Sequence, residues 1–80
     1  MTTAATSTTL DVRPDLAAGR EPFSRIMEAA HAIPPGGILV LLAPFEPEPL
    51  YSVLGRQGFS HQTDDLADEG FRITFHRTGP

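Results

Sequence analysis

The side chains able to do chemistry in this chain are carboxylates, arginines and three histidines, and no cysteine accompanies them. Without a thiol there is no thiolate nucleophile, no disulfide and no sulfur ligand for zinc or an iron–sulfur cluster. The histidines do not make up for it. If Phe59 and Phe75 both point inward, strand alternation turns His61 inward and His76 outward, so the two cannot share an ion. His31 lies about 80° around a helix from Phe23, at the boundary of an apolar stripe. Closed metal sites need about four ligands with a supporting shell, so no metal and no cofactor are expected.

Glu46 and Glu48 have the spacing of a carboxylate pair, and an acid–base pair needs surroundings that push the two acidities apart. In a loop rich in proline both are expected to be solvated, with Glu48 suited to a helix N-terminus. Ser24 and Ser52 fall on helical segments with no histidine nearby in sequence, which leaves a serine nucleophile unsupported. No catalytic constellation is visible, and the chain is expected not to be an enzyme. Arg13, Arg20 and Arg25 flank the first loop and helix, where with the helix N-terminus they could cradle a carboxylate or phosphate, or simply be surface arginines. Phe45, between prolines and beside Glu46, is either a rigid contact for a partner or a cover for the core.

The elements that must position these residues belong to one small domain. Eighty residues with 40% hydrophobic and 20% charged side chains are enough for a single thin core and too apolar for disorder. A net charge of -4 disfavours nucleic acid and anionic lipid. The run from Ile38 to Ala43 is too short to span a membrane. Met1 to Thr8 lacks the features of a signal peptide and reads as a frayed tail, with residues 9–78 forming the domain. Together with the absence of cysteine, this points to a cytoplasmic protein.

Leu10 and Val12 alternate as a short strand, and Arg13-Pro14-Asp15 starts a loop that runs to Gly19. Pro22 suits the first turn of a helix whose stripe is Phe23, Ile26, Met27, Ala30 and Ile33, ended by Pro34-Pro35-Gly36-Gly37. The apolar run Ile38 to Leu42 reads as the central strand. Pro49 opens a second helix with Leu50, Val53 and Leu54 inward, and Gly58 ends it. Phe59, His61 and Thr63 share one side of a third strand. In a fourth, Phe71, Ile73 and Phe75 alternate with Arg72, Thr74 and His76, after a turn at Asp68-Glu69-Gly70. The first strand, helix and strand should cross over right-handed into a parallel pair.

This order, with Leu10-Asp11-Val12-Arg13, the proline opening the first helix and Ile33-Pro34-Pro35-Gly36 after it, resembles the TusA/SirA sulfur-carrier family over roughly residues 10–77. More closely, the string Ala43-Pro44-Phe45-Glu46-Pro47-Glu48-Pro49-Leu50-Tyr51 is similar to a branch of a bacterial domain family of unknown function that shares the fold. In the sulfur carriers a Cys-Pro-x-Pro motif enters the first helix and its thiolate carries a persulfide. Gly19-Arg20-Glu21-Pro22 stands here instead, so the resemblance implies the fold but not sulfur transfer. The wider family often places histidines at positions occupied here by Glu21 and Phe45, and a histidine-based metal role does not carry over either.

The expectation is therefore an α/β two-layer sandwich in the order β-α-β-α-β-β, with two helices on one face of a four-stranded mixed sheet. Arg13, Arg20, Glu21, Phe45 and Glu46 are the ligand- or partner-binding candidates, near the carboxyl ends of two parallel strands, where open α/β sheets take ligands. The expected role is a non-catalytic binding or adaptor module for a protein partner, with a small anion as a further ligand and a second copy able to cover the open sheet face or edges. The alternative is an accessory domain in sulfur or redox metabolism that docks on a thiol- or metal-bearing protein. An enzyme using Arg20 and Glu21 is a third reading.

Overall fold

The structure, a computed structural model, describes residues 7–78. Its elements are β1 (Ser7–Asp11), α1 (Arg13–Ala17), α2 (Phe23–His31), β2 (Ile38–Ala43), α3 (Glu48–Arg56), β3 (Phe59–Asp65), a 3₁₀ turn (Ala67–Glu69) and β4 (Phe71–Arg77). The sheet order is β1-β2-β4-β3, with β1 parallel to β2 and the other two pairings antiparallel. The expected mixed four-stranded sheet with two main helices is what forms, and β2 lies inside it as its apolar run implied.

Burial alternates along β2. Leu39, Leu41 and Ala43 face the helices and are buried, while Ile38, Val40 and Leu42 are half-buried on the opposite face. Ile26 and Ala30 of α2 and Leu50 and Leu54 of α3 join Leu39, Leu41, Ile73 and Phe75 in one core. Both helices thus cover the same sheet face, the arrangement a single thin core demands.

Three expectations change. β1 starts at Ser7, so Ser7 and Thr8 belong to the sheet by pairing with Ile38 and Leu39; residues 1–6 of the expected tail lie outside the described residues. The segment expected to be a loop from Arg13 to Gly19 begins with the helix α1. Pro14 sits in its first turn, where a missing N–H is harmless, and Asp11 Oδ1 accepts the Arg13 N–H at 3.0 Å. Phe23, placed by periodicity in the inward stripe, is 43% exposed because it opens α2, where no neighbouring element covers it.

Gly70 fixes the approach of the β3–β4 turn to the end of β2. Its φ is +96°, and a Cβ there would collide with the Ala43 carbonyl. Only glycine tolerates both constraints, so the turn lies close under the loop that carries Phe45.

Candidate functional site

A groove of about 450 Å³ opens at the carboxyl ends of the parallel strands β1 and β2. Val12 and Leu16, just beyond β1, line it together with Ile26 of α2, Leu41 and Ala43 of β2 and Leu50 of α3. Its rim carries Arg20, Glu21 and Phe23 on one side and Phe45, Pro47 and Pro49 on the other. The volume falls in the range of small-molecule pockets, and the lining is almost wholly apolar. Pro47 is buried, which anchors the loop, whereas Phe45 is 53% exposed. Phe45 thus stands at the groove with about half of its surface open to solvent.

The anticipated anion cradle is filled by the chain's own carboxylates. Arg13 donates from Nε and Nη2 to the two oxygens of Asp11, at 3.0 and 2.9 Å, and from Nη1 to the Glu69 carbonyl at 2.9 Å. This paired fork holds the Asp11 carboxyl below its ordinary range and spends the guanidinium on joining β1 to the β3–β4 turn. Arg25 donates to the buried Asp15, whose pKa it lowers in the same way. Glu21 Oε2 accepts the Phe23 N–H at 2.7 Å and so occupies the positive end of α2. Arg20 reaches the groove rim and makes no ion pair among the described residues, although its backbone N–H donates to the Asp15 carbonyl at 2.8 Å.

Glu46 turns away from the groove to accept the Tyr51 hydroxyl at 3.0 Å; that hydroxyl also lies 2.9 Å from Thr63 Oγ1. Burial raises the Tyr51 pKa above its ordinary value. The Tyr51 ring stacks on His61 at 3.7 Å, so this histidine is held as a packing residue. His61 opposes Phe75, while His76 opposes Ile38 and Ser60 on the other sheet face, which separates the two as expected. Among the described residues no group of three histidines, aspartates or glutamates could hold a metal ion. Glu48 stands in the first turn of α3, and Ser24 and Ser52 are exposed on their helices.

Of the five candidates, the groove therefore assembles Arg20, Glu21 and Phe45, while Arg13 and Glu46 serve neighbouring elements. Val12, Leu16 and Phe23 were missed as groove residues. Pro14 directly after a strand-ending aspartate and arginine was the signal available for α1, and with it for the placing of Leu16.

No helix among the described residues is long and apolar enough to cross a membrane. Neither the search of curated proteins nor that of solved structures gave a match. A family profile described as uncharacterised conserved protein (DUF2249) matches residues 9–77, and with nearly all of its length covered the chain belongs to that family.

Proposed function

We propose that this domain is a non-catalytic binding or adaptor module of the bacterial cytoplasm, built on a TusA/SirA-like fold but stripped of the sulfur-carrier chemistry. One observation carries the reading. At the end of the sheet where open α/β proteins take ligands, the chain presents an apolar groove rimmed by Phe23 and Phe45, its two exposed large hydrophobic side chains among the described residues. Nothing polar in that groove is arranged as nucleophile, base and orienting group. Its one carboxylate, Glu21, already accepts the Phe23 N–H at the start of α2.

Desolvated aromatic side chains dominate the energetics of protein contacts, and a rigid proline-framed loop loses little entropy on binding. Phe45 is accordingly the main anchor for a partner, and Phe23 supports it from the facing rim. The test is a pull-down from bacterial lysate with the wild-type chain and with Phe45→Glu, read by mass spectrometry. Proteins held by the first and lost by the second are the expected result, and a sulfurtransferase or metalloprotein among them would make the module an accessory of sulfur or redox metabolism. Identical recovery by both chains would overturn the reading.

A further inference from the structure

We propose that the groove is also the contact surface between two copies of this chain, related by a two-fold axis. The inference rests on the groove being a binding surface and names one occupant for it. An isologous contact needs a patch complementary to itself, and this rim carries an exposed ring, an apolar hollow and charges of both signs. Phe45, half exposed, borders the apolar hollow in the same patch, so each copy offers both a ring and a recess.

The charges point the same way. An anionic ligand finds no vacant cradle, because Arg13, Arg25 and the N-terminus of α2 already face Asp11, Asp15 and Glu21. What remains is the adjacent pair of Arg20 and Glu21. Arg20 has no ion-pair partner among the described residues, and one Glu21 oxygen is engaged with the Phe23 N–H. Such a doublet placed near a two-fold axis meets its own inverse, giving two symmetric pairs. Rim charges of this kind set register and exclude wrong partners, while the aromatic contacts supply most of the affinity. The size of the chain adds a reason: a domain of this length has a thin core, and this one has no disulfide to reinforce it.

Sedimentation velocity on the full chain, diluted from millimolar to low micromolar, tests the assignment. Wild type is expected to be dimeric at the upper end. Phe45→Glu should weaken the dimer roughly 30-fold or more, with an unchanged circular dichroism spectrum and, at dilutions where both chains are monomeric, an unchanged melting temperature. Phe23→Ser provides a second exposed-site variant. Arg20→Glu should weaken it about tenfold, and the double exchange Arg20→Glu with Glu21→Arg should recover much of that loss. A wild-type chain monomeric throughout would overturn the proposal. So would a dimer indifferent to Phe45→Glu and Arg20→Glu, since its contact would then lie on the β1 edge or the open sheet face. These results separate from the adaptor reading: a monomer whose Phe45 still captures another protein sinks only the self-contact, and a Phe45-dependent dimer that captures nothing sinks only the adaptor.

Discussion

Two groups of aromatic side chains in this domain have opposite fates. Around Phe75 every ring has a partner: Phe59 meets it edge-on with centroids 6.4 Å apart, Tyr51 lies tilted at 6.3 Å, and His61 stacks on Tyr51. At the groove, Phe23 and Phe45 are 43% and 53% exposed. Four of these side chains are phenylalanines, two in each group, so the backbone that carries them makes the difference. Phe59, His61 and Phe75 sit in an antiparallel ladder whose register brings His61 opposite Phe75, and α3 lays Tyr51 over them. Phe23 opens a helix and Phe45 rides a loop beyond the last paired residue of β2, so no ladder presses either of them inward. One group holds the fold together and the other is available for contact.

Substitutions can break that contrast. The largest loss should come from Phe75→Ala, since emptying a fully packed site removes transfer energy and leaves a cavity; about 3–5 kcal/mol is expected, measured by urea unfolding. Tyr51→Phe keeps the ring contacts but removes the hydroxyl shared by Glu46 and Thr63, and should cost about 1 kcal/mol, because both partners can turn to water. The same hydroxyl can be followed by pH. Its pKa is raised above 10.0 mainly by burial, so the stability it contributes is complete below that value and lost as pH rises through the folded one. The ultraviolet titration of the single tyrosine should therefore run more alkaline than in the unfolded chain.

A smaller effect belongs to the pair of Asp15 and Arg25 beside the groove. Arg25 lowers the Asp15 pKa from its ordinary 3.8, so the stabilisation is present above that value and disappears as pH falls through the folded one. Asp15→Asn should be less stable than wild type at neutral pH, and the gap in urea midpoints should close in strong acid. Smallest of all is Phe45→Ala, expected within about 0.5 kcal/mol of wild type. A loss as large as that of Phe75→Ala would show that both aromatic groups hold the fold and would erase the distinction between them.

Much of this architecture can be read from local pattern. The stripe of Ile26 and Ala30, the unbroken run from Ile38 and the alternation of Phe71, Ile73 and Phe75 each announce an element whose type the structure keeps. Reading failed where two local signals competed. Pro14 marks either a break or the first turn of a helix, and Asp11 with Arg13 tips it towards the helix by folding back on the turn. The groove lies where the candidate residues were expected, at the ends of two parallel strands, but its lining was not legible. Three arginines near one helix suggest an anion, yet Arg13 is paired two residues away with Asp11 and Arg25 ten residues away with Asp15.

The amino-acid sequence by itself determined the element types, the place of the central strand and the absence of thiol chemistry, because periodicity, turn residues and composition act over a few neighbours or over the whole chain without regard to its path. Tertiary structure alone decided which charges neutralise each other and which phenyl rings stay uncovered. Those outcomes depend on what the returning chain brings within a few ångströms, and Coulomb attraction and the removal of apolar surface from water respond to that distance rather than to separation along the chain.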